Sequence, residues 1–466
     1  MLVTEKNSSE KFIQPFDDSL SPNQQLLPLT AKINDQNHLE IGSCDVIDLV
    51  KKFGTSLYIV DEKTLRTSAR QYRDAFKKYY PGESQVIYAS KAWCCMAIAS
   101  ILASEDIGFD VVSGGELYTT TKALEMSHKS QEYIENNIYL HGNNKSIAEL
   151  ELAMDSKCKI IVDNWLELEN LAKLSAQKQT PVSILVRLTP GIECHTHEYI
   201  RTGSIDSKFG FDANQLEAVF TFAKEQQFIN CIGLHAHIGS QIFELQPHHD
   251  LAGVLADWYQ KALDYGLPMT EFNVGGGLGI RYTQSDDPPS IDQWVQTVSE
   301  AVLKACQERN LALPKLISEP GRSMVGSSTV TAYTVGGRKV IPDVRTYVSV
   351  DGGMSDNPRP ITYQSLYEVV IANKMTSPNT ETVTIAGKHC ESGDILVKNV
   401  SLPDTKEGDI LVVLGTGAYN YSMASNYNRL ARPAAVLVNE GEASLIIRRE
   451  TYEDLVRQDL LPSRLG

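Results

Sequence analysis

Val86-Ile87-Tyr88-Ala89-Ser90-Lys91 is an apolar run that ends on a lysine, and seven more runs of the same build follow it. Gly108-Phe109 leads to Asp110, Ile138-Tyr139-Leu140 to His141, and Ile160-Ile161-Val162 to Asp163 and Asn164. Ile184-Leu185-Val186 leads to Arg187, and Ile232-Gly233-Leu234 to His235 and His237. Phe272-Asn273-Val274 leads to Gly275-Gly276-Gly277, and Lys315-Leu316-Ile317-Ser318 to Glu319. Stretches with helical spacing lie between them, over 116–126, 166–174 and 291–309. Strands that alternate with helices pair in parallel, because each helix carries the chain back to the start of the next strand. Eight such units predict a (β/α)8 barrel of the TIM type. Its chemistry gathers at the carboxyl ends of the strands, where these polar residues stand. An open doubly wound sheet is the competing arrangement.

The remainder of the 466-residue chain leaves room for a second domain. After Glu319-Pro320-Gly321-Arg322 the texture turns β-branched, in runs over 330–335, 347–350, 381–386, 409–414 and 435–438. Gly336-Gly337, Asp351-Gly352-Gly353 and Gly415-Thr416-Gly417 punctuate them, which predicts an antiparallel β domain of sandwich or small-barrel type. Residues 1–37 are rich in Ser, Pro, Asn and Gln and weakly periodic, and are expected to form a flexible arm, with docking on a partner subunit as the alternative. Glu5, Glu10, Asp17 and Asp18 count against a transit peptide, and no apolar core marks a secretion signal. Ordered structure is expected from Leu39, with a helix over 45–53 and a strand over 57–60. The expected division is an arm over 1–37, a barrel over 61–325, and a β-rich domain built from 38–60 and 326–466.

Lys+Arg 43 against Asp+Glu 58 leaves a formal charge of −15, which argues against nucleic acid or an anionic membrane as a partner. The eight cysteines are scattered, with Cys94 and Cys95 adjacent and no CxxC, so neither a disulfide framework nor a zinc site is indicated. No apolar run reaches the length of a membrane span. A reduced, cytoplasmic protein is expected.

Three features suggest chemistry. A partly desolvated lysine at a barrel rim can lose its proton and attack a carbonyl to form a Schiff base, although a lone strand-end lysine can equally be a solvated side chain. Gly275-Gly276-Gly277-Leu278-Gly279 after the seventh strand bares backbone N–H groups to a phosphate, or simply makes a tight turn. Glu319 and Arg322, held by Pro320-Gly321, can serve a ring nitrogen and an anion, or pair with each other at a surface turn. Taken together, the lysine, the glycine cradle and the carboxylate meet the requirements of pyridoxal 5′-phosphate.

From Leu39 to about Leu460 the chain resembles the diaminopimelate decarboxylases, members of the fold-type III pyridoxal-phosphate enzymes. The matching segments are Tyr88-Ala89-Ser90-Lys91-Ala92, Ser113-Gly114-Gly115-Glu116, His235-Ala236-His237-Ile238-Gly239-Ser240-Gln241, Gly275-Gly276-Gly277, Glu319-Pro320-Gly321-Arg322, Cys390-Glu391-Ser392-Gly393-Asp394 and Gly417-Ala418-Tyr419. Ser422-Met423-Ala424-Ser425-Asn426-Tyr427 is similar too. The resemblance implies the two-domain architecture of the alanine racemase type and a homodimer with shared active sites. It also implies decarboxylation of meso-2,6-diaminopimelate to L-lysine. Lys91 would carry the cofactor, Glu319 would keep its ring nitrogen protonated, and His237 would stack on the ring. Gly239, Ser240, Gly276, Gly277 and Tyr419 would cradle the phosphate, with Pro320, Gly321 and Arg322 lining the cofactor site. Arg322, Arg359, Tyr363 and Tyr419 would bind substrate, the arginines at its far carboxylate. Glu391 would read the far ammonium, and Cys390 would return a proton to carbon, with His389 placed to help tune it.

The sequence departs from its relatives at Trp93-Cys94-Cys95 after the lysine and at Pro358 before Arg359. His195-Thr196-His197 and His248-His249 have spacings seen at metal sites but no metal-site signature around them; they are read as loop or surface residues, and no metal is assigned. Other readings are a decarboxylase of ornithine, lysine or arginine, a cofactor-free lysine aldolase, and an inactive regulatory paralogue. The aldolase leaves the glycine run and Cys390 unexplained, and an inactive paralogue need not have kept both Lys91 and Cys390.

Overall fold

The computed structural model describes residues 8–192 and 207–465. All eight anticipated strands form: β1 (Ser84–Ala89), β2 (Gly108–Val111), β3 (Ile138–Leu140), β4 (Lys159–Val162), β5 (Val182–Arg187), β6 (Ile229–His235), β7 (Glu271–Asn273) and β8 (Lys315–Ser318). They close into a barrel in chain order. The closing ladder decides against an open sheet, because β8 pairs in parallel with β1 through Leu316 with Ser84 and Ser318 with Val86. Side chains alternate across each strand, so Ile87, Tyr139, Ile161, Leu185 and Ile317 point inward and fill the barrel. The intervening helices start on caps written in the sequence. Ser113 caps Gly114–Met126, while Ser146 with Glu149 and Ser290 with Gln293 form capping boxes on their helices.

The chain divides into two compact units, one comprising Arg66–Ile280 and Asp287–Met324, the other everything up to Leu65, Arg281–Asp286 and everything from Val325. The second unit holds a nine-stranded sheet, which runs Ile395–Leu402, Glu381–Ala386, Arg345–Val350, Thr329–Ile341, Leu57–Asp61, Ala434–Asn439 and Glu442–Ile447. Ile410–Val413 branches off Thr329–Ile341 and carries Val369–Ile371. Most ladders are antiparallel, but Leu57–Asp61 runs parallel to Ala434–Asn439, and Arg345–Val350 parallel to Glu381–Ala386. The early strand Leu57–Asp61 explains the first of these: it is inserted between two late strands and is fully buried.

The flexible arm expected over 1–37 is corrected wherever that segment is described. Leu26, Leu27 and Ala31 belong to the same core cluster as Leu57, Ile59, Val330, Val412 and Val436. Asn23 is fully buried and its carbonyl accepts the Arg281 N–H at 2.8 Å, while the Leu29 N–H donates to Thr64 Oγ1 at 2.8 Å. The polar composition of the segment hides a short apolar anchor, Leu26-Leu27-Pro28-Leu29, which gains more from burial than its ordering costs.

His248 is also a correction. It lies inside helix Gln246–Asp264, buried against Trp294 with ring centroids 5.4 Å apart, while His249 is half-buried. His195 and His197 lie outside the described residues. Among the described residues no helix is long and apolar enough to cross a membrane.

Candidate active site

The carboxyl ends of the barrel strands gather the polar residues into one cluster, buried except at Lys91, whose side chain is 43% exposed. Lys91 sits in the 3-10 turn Ser90–Ala92 directly after β1, with Nζ 3.6 Å from Asp110 Oδ2 at the end of β2. Asp110 is fully buried, and neither of its carboxylate oxygens has a hydrogen-bond partner among the described residues. A buried carboxylate in that state is costly unless a cation or donor faces it. Lys91 lies closest among the cations, and His141 Nε2 approaches its other oxygen at 3.7 Å.

Glu319, which follows β8, is the centre of the cluster. Its Oε1 accepts from Asn273 Nδ2 at 2.7 Å and lies 2.9 Å from His141 Nε2, while Oε2 lies 3.1 Å from His235 Nε2. Burial pulls this carboxyl toward the neutral form, yet His141 and His235 outweigh it and hold it well below the usual carboxylate range. Burial pushes His235 down to about 4, against the pull of Glu319, so its ring stays neutral at pH 7. Asp110, His141, His235 and Asn273 each stood at a strand end in the sequence without a role. The signal that marks them is their position at the carboxyl ends of β2, β3, β6 and β7.

His237, two residues past the end of β6, accepts the Gly276 N–H on Nδ1 at 3.2 Å. That bond fixes its tautomer, and burial together with the charges of Lys91 and Arg187 drives it well below its ordinary value. The glycines beside it are required sterically. A Cβ at 276 would stand 2.3 Å from the Glu319 carbonyl oxygen, and one at 277, where φ is +128°, would stand 3.0 Å from the Gly239 carbonyl oxygen. Gly321 packs on Ala89, where a Cβ would meet the Ala89 Cβ at 3.0 Å, and the Ala89 N–H donates to the Pro320 carbonyl at 3.2 Å. Arg322 opens helix Arg322–Val325 and donates to Ser240 Oγ from Nε at 3.2 Å and from Nη2 at 2.9 Å. Thus Lys91, His237, Gly239, Ser240, Gly276, Gly277, Glu319, Pro320, Gly321 and Arg322 all lie on the strand-end face of one barrel.

The other predicted site residues belong to the β-rich unit. Arg359 opens helix Arg359–Tyr363, with Pro358 at its N-cap and Pro360 in its first turn, where a fixed φ suits a helix start. Its guanidinium is buried, lies over the Tyr282 ring at 4.7 Å and donates to Tyr367 Oη at 2.6 Å. Tyr363 is half-buried at the end of the same helix, and Tyr419 adopts φ +60° in the turn after Gly417. Cys390 and Glu391 are exposed, at the tip of the turn between Glu381–Ala386 and Ile395–Leu402. In the barrel, Trp93 is buried and takes a hydrogen bond from Tyr88 Oη on its carbonyl, so the departure after Lys91 serves as core packing.

Residues 62–326 match the family described as pyridoxal-dependent decarboxylase, pyridoxal binding domain. A diaminopimelate decarboxylase of Synechocystis is 66% identical over 447 residues, 96% of this chain and 95% of the relative. The chain belongs to the diaminopimelate decarboxylase family. The Bacillus subtilis member is 44% identical across 94% of this chain and 98% of its own. The M. jannaschii member, solved as a co-complex with L-lysine, superposes with a TM-score of 0.87 at 31% identity, covering 96% of this chain and 100% of that one. Family and fold agree with the resemblance carried by the strand-end motifs.

Proposed function

We propose that this chain uses pyridoxal 5′-phosphate to decarboxylate meso-2,6-diaminopimelate to L-lysine and CO2, the last step of lysine biosynthesis. The observation that carries the reading is Glu319, a fully buried carboxylate kept ionised by His141, His235 and Asn273 a short distance along the barrel rim from Lys91. A carboxylate held in that state suits a protonated pyridine nitrogen. The side-chain-free backbone at 275–277 suits a phosphate, and Asp110, which faces Lys91 at 3.6 Å and has no hydrogen-bond partner among the described residues, suits a reactive amine.

Pyridoxal phosphate, when bound, supplies an electron sink that lets an α-carboxylate leave as CO2. Lys91 holds the cofactor covalently through its amine. Glu319 keeps a proton on the ring nitrogen. His237 presents a neutral imidazole face, and its Nδ1, already taken by the Gly276 N–H, does not compete for the ring. Gly239, Ser240, Gly276, Gly277 and Tyr419 bind the phosphate, with Arg322 orienting the Ser240 hydroxyl. Arg322, Arg359 and Tyr363 bind the far carboxylate of the substrate, Glu391 its ammonium, and Cys390 returns a proton to the carbon that loses CO2.

The exposure of Cys390 and Glu391 on the single chain supports a homodimer in which a second copy supplies them. The seven described cysteines are all free, which supports a reducing cytoplasmic setting. A decarboxylase of ornithine, lysine or arginine is the second reading, but two arginines assigned to a far carboxylate have no partner on those substrates. Lysine and CO2 release from purified protein decides between them, with diaminopimelate and ornithine compared by kcat/KM. A preference for ornithine or lysine overturns the proposal. Borohydride reduction followed by peptide mapping tests the attachment point, and an adduct on any lysine but Lys91 removes Lys91 from the mechanism.

A further inference from the structure

Asp394 closes the Cys390-Glu391-Ser392-Gly393-Asp394 turn but has no part in the chemistry above, and neither does Asp351-Gly352-Gly353. The two meet. Cys390 and Glu391 are exposed, whereas Asp394 is 3% exposed and faces inward. Its Oδ1 accepts the Met354 N–H at 2.7 Å. Its Oδ2 accepts the His389 N–H at 3.0 Å and lies 2.7 Å from His389 Nδ1. Glycines make room for this carboxylate: a Cβ at 353 would stand 2.5 Å from Oδ2, and one at 387 would stand 2.1 Å from it. The His389 ring is stacked on Tyr427, with centroids 5.9 Å apart and planes 12° from parallel. The next residue along, Asn428, accepts the Cys390 N–H on Oδ1 at 2.8 Å.

One carboxylate therefore ties two segments together. The first is the turn that presents Cys390 and Glu391. The second begins at Gly353, whose carbonyl accepts the Asp356 and Asn357 N–H groups at 3.1 and 2.8 Å, and leads two residues later to Arg359. We propose that Asp394 is a positioning residue which, through His389 and the Met354 N–H, sets the Cys390–Glu391 turn in register with the Arg359 segment. The proposal rests on the roles given above to Cys390, Glu391 and Arg359. Asp394 touches neither substrate nor cofactor. It acts because a buried carboxylate that accepts several N–H groups is a stiff joint, and a reacting group misplaced by about 1 Å loses rate on the order of 10²-fold.

The test uses the holoenzyme with Asp394→Asn, which keeps the shape but turns one acceptor oxygen into a donor amide. Kcat/KM for diaminopimelate is expected to fall on the order of 10²-fold. Backbone hydrogen exchange over 352–356 and 387–394 should quicken about tenfold or more, while barrel exchange and the cofactor absorbance spectrum stay as they are. His389→Leu should behave in the same way, and it serves as the test variant if Asp394→Asn does not fold. His389→Asn, which retains an N–H toward Oδ2, should recover most of the loss. Unchanged exchange over 387–394 in either loss variant removes the pin. Quickened exchange with unchanged kcat/KM reduces Asp394 to a stabilising residue and overturns the positioning role. Cys390→Ala separates the two readings: if it stays fully active, the role of Cys390 fails, while the exchange data still judge the joint.

Discussion

The strand ends of the barrel and the Cys390 turn of the β domain are built on opposite terms. Around Glu319 every group is buried and its partners come from neighbouring strands of one closed barrel: His141 from β3, His235 from β6, Asn273 from β7. Around Asp394 the buried part is only the footing, and the two residues assigned to chemistry stand exposed above it. The groups that set the state of Glu319 are in place once one chain has folded, although Lys91 at the rim is itself exposed. The Cys390 turn instead holds its two exposed residues outward, which is why the proposed function gives them to a second copy.

Lys91→Ala attacks the self-contained half, and it should lower kcat on the order of 10³-fold or more while leaving the fold intact by circular dichroism. Substantial residual turnover, measured as CO2 release, would remove Lys91 from the centre of the barrel site. The contributed half is broken by Cys390→Ala. Neither inactive variant should work alone, but unfolding and refolding them together makes about half of the dimers mixed, so roughly a quarter of all sites should regain activity. No recovery, where the unmodified protein refolds well, would place the whole site within one chain and erase the contrast. Arg359 lies between the extremes, a buried guanidinium in the β-rich unit. Arg359→Ala should raise KM for diaminopimelate by about 30-fold to 900-fold, the equivalent of roughly 2–4 kcal/mol, with a smaller change in kcat.

The smallest effect concerns stability. Burial pushes His248 down to about 3, and its Nε2 has no hydrogen-bond partner among the described residues. Its folded value lies below its unfolded one, so the unfolded chain binds the extra proton. The full stability is present above about pH 6.5 and declines as pH falls toward 3, by about 2 kcal/mol at pH 5. His248→Phe should flatten that decline, read as the difference between urea midpoints at pH 7.5 and pH 5. An unaltered pH dependence would show that burial at this position carries no such penalty.

The barrel was legible because short apolar runs, each leading to a polar residue or to glycines, repeat eight times with helical spacing between them. The positions of Lys91, Glu319 and the glycines were legible for the same reason: each follows directly on a strand end. His141, His235 and Asn273 were visible as positions but not as a set. Which strand ends face one carboxylate depends on barrel closure, and spacing along the chain does not encode it. The segment before Leu39 was misread because Ser, Pro and Asn dominate its composition, while its packing is decided by Leu26, Leu27 and Ala31. The parallel ladder between Leu57–Asp61 and Ala434–Asn439 leaves no signal in the sequence, because its two strands lie far apart along the chain.

That ladder has a consequence for how the protein is made. Synthesis delivers Leu57–Asp61 early, yet its neighbours Thr329–Ile341 and Ala434–Asn439 leave the ribosome only after every barrel strand has been translated. The barrel can therefore close while the start of the chain still waits, with Leu26, Leu27, Leu57 and Ile59 uncovered. Translation that halts before residue 434 leaves that strand with one edge open, the kind of surface on which nascent chains aggregate and chaperones act.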